Sequence, residues 1–226
     1  MIKLAKKYIF HLWLKLQPDK EKIFTKYYKE NFWKNNESRS GEGSTLEQTE
    51  RLRSQLPVFI EKYSIKIIFD APCGDFNWMK HVKRDIIEYI GADIVRPLVD
   101  ENNSRYADKR THFLHLDITK DEFPMADVWI CRDLLFHLSE NDIYRSLDNF
   151  LSSGIPWILT TTFTEHPINE NVPTGSFRLI NLEISPFNFP PPVEYLVDSV
   201  PSWQKRCLGL WNREQVKEAL AMRFHS

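Results

Sequence analysis

The chain has 226 residues, of which 42% are apolar and 27% charged, a composition typical of a folded globular protein and unlike that of a disordered one. Thirty Lys and Arg residues stand against 31 Asp and Glu residues, so the formal net charge is −1. Proteins that bind nucleic acid usually carry a basic surplus, because contacts with phosphate supply most of the affinity. The balance of charge therefore argues against nucleic acid as a partner. The length suits one α/β domain with a modest additional element.

The first 16 residues combine lysines with apolar residues at helical spacing, which predicts a helix. His11 and Lys15 interrupt the apolar run and no small-residue cleavage site follows, which argues against a signal peptide. No run approaches the roughly 18 apolar residues that span a bilayer. Such a helix packs on its own domain or on a partner chain such as a second copy, or it lies on a membrane surface with its Trp and Phe residues toward the lipid.

A second helix is predicted over residues 18–35, and a loop of small residues follows at 38–44. Ser44 and Glu47 have the spacing of a capping box, which predicts a third helix over residues 45–63. We interpret residues 1–44 as an N-terminal helical extension and loop. The remaining residues, 45–226, form the main domain.

From residue 65 onward, short β-branched runs alternate with helical stretches. Strands are predicted at residues 65–69, 86–94, 111–116, 126–131, 155–163, 194–200 and 205–211, with a last helix at 213–222. This alternation indicates an α/β fold of the Rossmann-like kind, a doubly wound and mostly parallel seven-stranded sheet covered by helices on both faces. Residues 164–192 interrupt the pattern with a stretch rich in Pro, Asn and aromatic residues, which we interpret as a substrate loop.

The turn after the first strand is acidic and contains one glycine; it reads Asp70-Ala71-Pro72-Cys73-Gly74-Asp75. Ligands of doubly wound sheets bind at the carboxyl ends of the strands, so this turn is a candidate binding element. The glycine allows the backbone to approach a ligand closely. The G-x-G-x-x-G pattern that cradles a pyrophosphate is absent, and two carboxylates favour a cationic ligand instead.

Acidic residues also follow the next two strands. Asp93 stands 23 residues after Asp70, close to the spacing of about 20 that is seen for an acid that binds ribose hydroxyls. At the end of the third strand, Asp117 can accept a hydrogen bond from an adenine amino group while Ile118 packs against the ring. Together with Ile94, these residues predict an adenosine site.

The fourth strand is followed by Arg132, Asp133 and His137. If this stretch is helical, Asp133 and His137 lie one turn apart on the same face. Asp133 then orients the imidazole, and His137 removes a proton from a hydroxyl acceptor. The alternative is that Asp133 is a helix N-cap and His137 packs in the core. Arg132 either contacts the cofactor or pairs with a neighbouring acid.

The stretches D-A-P-C-G-D, G-A-D-I, L-D-I-T and C-R-D-L-L-F-H-L resemble motifs I to IV of class I methyltransferases that use S-adenosylmethionine (SAM), over about residues 65–163. Four further stretches resemble a bacterial subgroup associated with surface-polysaccharide gene clusters: W-x-x-x-E-S-x-S-G-x-G-S, D-A-P-C-G-D-F-N-W-M, T-G-S-F-R-L-I-N-L and P-F-N-F-P. In the family's motif I, E/D-x-G-x-G-x-G, Pro72 replaces the first glycine, Gly74 takes the second and Phe76 replaces the third. The resemblance implies SAM as the cofactor, bound by Asp70, Ala71, Pro72, Gly74, Asp93, Ile94, Asp117, Ile118 and Arg132.

These observations predict transfer of a methyl group to a hydroxyl of a sugar or of a glycan or capsule precursor, without a metal. Arg39, in the loop at 38–44, and Arg178 and Asn181, in the stretch at 164–192, are predicted to contact the substrate, with Arg178 facing a sugar acid or phosphate. Two alternatives stay open, a small-molecule methyltransferase directed to nitrogen or phosphate and a catalytically inactive methyltransferase-like partner protein. An NAD-type oxidoreductase is disfavoured by the missing glycines. The three cysteines are too sparse for a disulfide framework and fit a reducing cytoplasm.

Overall fold

The computed structural model describes residues 10, 12–17, 19–84, 86–198 and 205–223, so most of the helix expected over residues 1–16 lies outside the described residues. Five helices of ten or more residues are found in these ranges: α1 (Lys20–Lys29), α2 (Glu50–Lys62), α3 (Arg96–Tyr106), α4 (Glu140–Ser153) and α5 (Arg213–Met222). The strands are β1 (Ile67–Asp70), β2 (Glu88–Asp93), β3 (Thr111–His115), β4 (Val128–Cys131), β5 (Trp157–Thr162), β6 (Glu194–Val197) and β7 (Cys207–Asn212).

The strands form one seven-stranded sheet in the order β3-β2-β1-β4-β5-β7-β6. Strands β1 to β5 are parallel to their neighbours within that group, and β7 is antiparallel to both β5 and β6. The predicted Rossmann-like, mostly parallel sheet is therefore confirmed. The strand order reverses between β1 and β4, and in this architecture the ligand cleft lies outside the carboxyl ends of the strands at that point.

Apolar side chains cover the sheet on both faces, as a parallel sheet requires. On one face α4 and α5 pack against a cluster that includes the fully buried Trp129 and Trp211. On the other face α2 packs against a cluster that includes Phe59 and Tyr89. All four residues of β4 are buried, which explains why this strand is a continuous apolar run in the sequence.

The ends of α4 and α5 follow local capping rules. The Ser139 side chain accepts a hydrogen bond from the backbone N–H of Asp142 at the start of α4, and Gly154 ends that helix with a φ of 82°. Asn212 and Gln215 form a capping box at the start of α5, whose bounds match the prediction.

The start of α2 differs from the prediction. Residues 42–44 form a single 3-10 turn and α2 begins at Glu50, so the expected helix start at residue 45 is wrong. The hydroxyl of Thr45, rather than that of Ser44, accepts a hydrogen bond from a following backbone N–H, that of Gln48. The loop before α2 is therefore longer, and it reaches the edge of the sheet where the strands end.

The N-terminal extension packs directly on the main domain. The hydroxyl of Tyr27 donates to the carbonyl of Gly175, 2.7 Å away, and that of Tyr28 donates to Glu101 on α3. Lys20 forms an ion pair with Asp142 on α4 at 3.3 Å. Helix α1 thus covers the carboxyl edge of the sheet. Among the described helices, none is long and apolar enough to cross a membrane.

Candidate active site

A cavity of about 1120 Å³ lies at the carboxyl ends of β1 to β4. Its walls also include α1, the loop at residues 39–44 and part of the stretch at 164–192. Among the residues predicted from the sequence, those that line it are Arg39, Pro72, Gly74, Asp93, Ile94, Asp117, Ile118, Arg132, Asp133 and His137. Sites for one small ligand usually measure about 300–1000 Å³, so this cavity is large enough for a cofactor and an acceptor together.

Asp93 ends β2 with its carboxylate held by the backbone. One oxygen accepts from the N–H of Val95 at 2.9 Å and the other from the N–H of Gly74 at 3.2 Å. A carboxylate has about four acceptor positions, so both oxygens retain capacity for a ligand. Burial raises the pKa of Asp93 to about 6, against the lowering effect of these backbone hydrogen bonds. The side chain is therefore a fixed acceptor that ionises near pH 6.

Asp117, after β3, is oriented in a similar way. Its Oδ1 accepts from both the backbone N–H and the hydroxyl of Thr119, at 3.0 and 2.7 Å. Among the described residues, Oδ2 accepts no hydrogen bond and lies 3.7 and 3.9 Å from the ammonium groups of Lys120 and Lys20. Oδ2 is thus available to a donor in the cavity, beside the apolar side chain of Ile118.

Gly74 lines the cavity and also allows a close approach of the loop at 38–44. Its φ of 55° is left-handed, and a Cβ atom at this position would lie 2.3 Å from the Oγ of Ser40. The missing side chain therefore admits this loop. Asp75 strengthens this contact, because its carboxylate accepts from the hydroxyls of Ser38 and Ser40 and from the backbone N–H of Arg39.

Asp70 and Ala71 lie behind the cavity wall and do not line it. Asp70 accepts from the Tyr89 hydroxyl at 2.6 Å, and burial raises the pKa of Asp70 to about 7. The carbonyl of Ala71 accepts from the indole N–H of Trp129 at 3.0 Å. Both residues therefore hold the turn after β1 in place, on the side away from the cavity.

Four charged side chains form a network at the end of β4. Arg132 bonds to Asp198 at 2.9 Å and to the carbonyl of Gly43 at 2.7 Å, and Arg206 bonds to Asp133 at 2.9 Å. Burial pushes the pKa of Asp133 upward, but the two guanidinium groups outweigh it and hold that pKa below its usual value. Of the alternatives for Arg132, the ion-pair role is the one that the structure contains.

The predicted pairing of Asp133 with His137 is wrong. Asp133 has a left-handed φ of 55°, and residues 135–137 form a 3-10 turn, so the two side chains are not on one helical face. The carboxylate of Asp133 is occupied by Arg206 and by the hydroxyl of Thr161. The Nδ1 of His137 lies 2.8 Å from the carbonyl of Ser176 instead.

The bond to Ser176 determines the state of His137. A carbonyl can only accept, so Nδ1 carries the proton and Nε2 keeps its lone pair. Nε2 has no hydrogen-bond partner within the described part of the chain. Burial lowers the pKa of His137, opposed by the Ser176 bond and by Asp133, so the imidazole is neutral at pH 7. The ring lies among Phe136, Phe177 and Trp33, with centroid distances of 4.6, 5.8 and 6.1 Å.

The predicted substrate contacts of Arg178 and Asn181 are also wrong. Arg178 is 8% exposed and donates to the carbonyls of Leu135 and Leu138, and it does not line the cavity. Asn181 is 4% exposed and its amide donates to two carbonyls at the start of the stretch at 164–192. Both residues hold backbone in place. That stretch nevertheless reaches the cavity through other residues, namely Val172, Gly175, Ser176, Phe177 and Leu179.

Arg39 is the predicted substrate contact that remains at the surface of the cavity. It is exposed, its guanidinium lies 5.3 Å from the centre of the Tyr28 ring, and it donates to the Tyr28 carbonyl. No carboxylate lies within ion-pair distance of it among the residues that the structure describes. Arg39 is therefore a cation that an anionic ligand group can reach.

Several lining residues carry no signal in the sequence. Ser176 acts through its backbone carbonyl, which no side-chain pattern reports. Lys20 on α1 and Arg206 before β7 are distant in sequence from the carboxyl ends of β1 to β4, and the folded chain brings them to the cavity. In the described ranges, no group of three or more His, Cys, Asp or Glu side chains is arranged to hold a metal ion.

No protein-family model matches the chain, and no curated protein matches it. Several solved structures are similar to it. The magnesium protoporphyrin IX methyltransferase ChlM from Synechocystis PCC 6803 with bound SAM is 11% identical, with a TM-score of 0.59 over 86% of this chain and 97% of ChlM. The methyltransferase domain of bacterial CtHen1-CN is 12% identical, with a TM-score of 0.57 over 73% of this chain and 99% of that one.

A third similar structure is the 1,6-didemethyltoxoflavin-N1-methyltransferase from Burkholderia thailandensis, bound to 1,6-didemethyltoxoflavin and S-adenosylhomocysteine (SAH). It is 14% identical, with a TM-score of 0.54 over 72% of this chain and 77% of that chain. The chain therefore has the Rossmann-like fold of class I SAM-dependent methyltransferases. At these identities the likeness concerns the fold, and two of these structures carry different acceptors in their names, magnesium protoporphyrin IX and 1,6-didemethyltoxoflavin.

Proposed function

We propose that this protein is a SAM-dependent methyltransferase that methylates a hydroxyl group of a small acceptor, a sugar or a glycan precursor. The observation that carries the proposal is the pair of oriented carboxylates at the ends of β2 and β3. Asp93 and Asp117 line one cavity and both keep oxygen atoms free to accept. The fold of the similar structures, two of which hold SAM or SAH, supports the same cofactor.

The donors and acceptors around the cavity fit SAM. Asp93 would accept from the two ribose hydroxyls. Oδ2 of Asp117, which accepts no hydrogen bond among the described residues, would accept from the adenine amino group. Ile94 and Ile118 provide apolar contact for the base. When bound, SAM supplies a methyl group made electrophilic by the sulfonium.

His137 is the proposed general base. Its neutral imidazole faces the cavity with the Nε2 lone pair free, so it can take the proton of an acceptor hydroxyl. General base catalysis contributes about 10²–10⁴-fold, whereas correct orientation of the reacting groups is worth roughly 7–11 kcal/mol. Orientation is thus the larger effect. The cavity walls around His137, where the acceptor would bind, must provide it.

The cavity walls around His137 favour a ring-shaped acceptor with little charge. Trp33, Phe136 and Phe177 surround His137, and aromatic walls with a few polar groups are typical of small-molecule sites. Lys20, Arg132 and Arg206 line the cavity but are engaged by carboxylates. Apart from Arg39, the described lining offers no free cation to a phosphate, which disfavours a phosphate acceptor.

A sugar of a surface-polysaccharide precursor is the acceptor that the sequence resemblance implies. Free, buried thiols at Cys73 and Cys131 suit a reducing compartment such as the cytoplasm. Leu12 and Leu16 are 45% and 73% exposed and lie four residues apart in a helical segment. This apolar strip would contact a membrane surface or a second copy of the chain, which vesicle sedimentation and light scattering distinguish.

The test has two steps. A thermal-shift screen with SAM, SAH and NAD should show stabilisation by SAM and SAH alone. Mass spectrometry across capsule and lipopolysaccharide precursors should then find an acceptor heavier by one CH2 unit, with the methyl on oxygen. Methylation of an amine would favour the nitrogen-directed alternative, and SAM binding without turnover on any acceptor would favour an inactive partner protein.

A further inference from the structure

Arg178 is a buried cation that forms no ion pair with the described residues, although the carboxylate of Glu140 is near enough to raise its pKa slightly against the effect of burial. Its side chain is 8% exposed overall, and no carboxylate lies within 4.0 Å of it among the described residues. The buried Nε has no hydrogen-bond partner in that same part of the chain. Burial lowers the pKa of Arg178 to about 10. Burying an unpaired charge is costly, and an apolar side chain of similar length would avoid that cost. The position therefore calls for an explanation other than stability.

Within the described part of the chain, the hydrogen bonds that Arg178 donates go to the turn that carries His137. Its Nη1 donates to the carbonyls of Leu135 and Leu138, at 3.1 and 2.6 Å, and its backbone N–H donates to that of Phe136 at 3.2 Å. The N–H of Gly175 donates to the carbonyl of His137 at 2.7 Å. Four successive carbonyls of the turn are thus bound by residues 175–178.

The same segment returns one hydrogen bond to the imidazole. The carbonyl of Ser176 accepts from Nδ1 of His137. Residues 175–178 therefore fix both the backbone and the ring of His137, and the single Nη1 group of Arg178 bridges the turn from residue 135 to residue 138. Hydrogen bonds from a charged donor are about twice as strong as neutral ones, which suits a cation here.

We propose that Arg178 is a positioning residue, which holds the 135–138 turn so that His137 presents Nε2 to the acceptor. The proposal rests on the role of His137 given under the proposed function. Two charged groups act on the imidazole, Arg178 disfavouring its protonation and Asp133 favouring it. Loss of Arg178 should therefore change both the orientation of the ring and its titration.

The test is nitrogen-15 NMR of the histidine rings in the full chain, with His137→Gln used to assign the His137 signals. In the unsubstituted protein we expect a neutral His137 with the proton on Nδ1. In Arg178→Met we expect a mixture of tautomers and a titration midpoint at higher pH. Arg178→Lys retains the charge, but its side chain is one bond shorter than the path to Nη1 and its ammonium does not reach both carbonyls. This variant should therefore keep the midpoint and still mix the tautomers.

Arg213→Met is the matched control. Arg213 also donates to two carbonyls, those of Phe150 and Leu151 at the end of α4, far along the chain from His137. Its loss should lower the melting temperature and leave the His137 signals unchanged. With the acceptor in hand, the turnover number of Arg178→Met should fall by up to about 100-fold, as misplacement of a catalytic group can cost. SAH affinity by calorimetry should stay the same.

Unchanged His137 signals in a folded Arg178→Met or Arg178→Lys protein would overturn the proposal, whatever the activity. Altered signals in a protein that methylates no hydroxyl would instead contradict the proposed function and leave the positioning role standing. If Arg178→Met does not fold, Arg178→Lys decides the matter, because wild-type tautomer and turnover in that variant would exclude a role for the Nη1 bridge.

Discussion

Replacing Asp93 with Asn is expected to weaken SAM and SAH binding and to remove their pH dependence. Both carboxylate oxygens of Asp93 already accept one backbone N–H each, so the side chain is oriented before a ligand arrives. Hydrogen bonds to a charged acceptor are worth about 1.5–3 kcal/mol, so loss of the charge should weaken binding by about 10–100-fold at pH 8. Burial raises the pKa of Asp93 to about 6, so the unsubstituted protein should lose affinity as the pH falls through that value.

Isothermal calorimetry with SAH at several pH values between 5 and 8 measures both effects. Asp127→Asn is the matched control, because Asp127 also accepts from two backbone N–H groups, those of Lys66 and Ile67, but does not line the cavity. This control should bind SAH as tightly as the unsubstituted protein, with the same pH profile. Equal affinity and an equal pH profile for Asp93→Asn would refute the assignment of Asp93 to the ribose.

Three further predictions concern the proposed base His137, the pH dependence of stability, and the loop at 38–44. His137→Gln should lower the turnover number by about 10²–10⁴-fold with SAH affinity unchanged, and the acidic limb of the wild-type pH–rate profile should lie below about pH 6.5, since the pKa of His137 is lowered; turnover within a few-fold of wild type would exclude His137 as the base. Burial raises the pKa of Asp70 to about 7, so the folded protein binds this proton more tightly than the unfolded chain and loses up to roughly 4 kcal/mol as the pH rises from about 4 to 7; melting curves should show Asp70→Asn gaining stability relative to wild type at pH 8 but not at pH 4, and parallel profiles would contradict this. Gly74→Ala would place Cβ 2.3 Å from the Oγ of Ser40 and should displace the loop at 38–44, lowering SAH affinity, with partial recovery in Gly74→Ala/Ser40→Gly; calorimetry on both variants checks this, and tight binding by Gly74→Ala alone would count against it.

The strand pattern predicts the sheet and the positions of Asp93 and Asp117 well. Parallel strands bring their carboxyl ends to one edge, so acids that follow β2 and β3 must lie near each other whatever the intervening structure does. The alternation of apolar, strand-like runs with helical stretches can be identified from the sequence, and the folded chain keeps it. The bounds of α5 are predicted correctly for a similar reason, since its capping residues are adjacent in the sequence.

The pairing of Asp133 with His137 could not be tested by local pattern alone. Spacing of four residues brings side chains together only in a helix, and Asp133 adopts a left-handed conformation that Asp tolerates better than most residues. The contacts of Arg178 were equally hard to predict, because charged residues in an irregular stretch show no periodic pattern. The sequence predicts a cation that contacts the substrate, whereas tertiary contacts bury it against carbonyls of the His137 turn.

The carbonyl of Ser176 has a consequence for how the proposed base would recover after each turnover. In hydrolytic triads a carboxylate stabilises the imidazolium ion that forms when the base takes a proton. Here the ring is held by a neutral carbonyl, and burial together with the charge of Arg178 outweighs the favourable effect of the Asp133 carboxylate on the pKa of His137, so the imidazolium is a weakly stabilised species. Its proton would pass readily to water at neutral pH. Each methyl transfer to a hydroxyl would thus release one proton to the medium, at a rate set by solvent access to Nε2 rather than by the breaking of an ion pair.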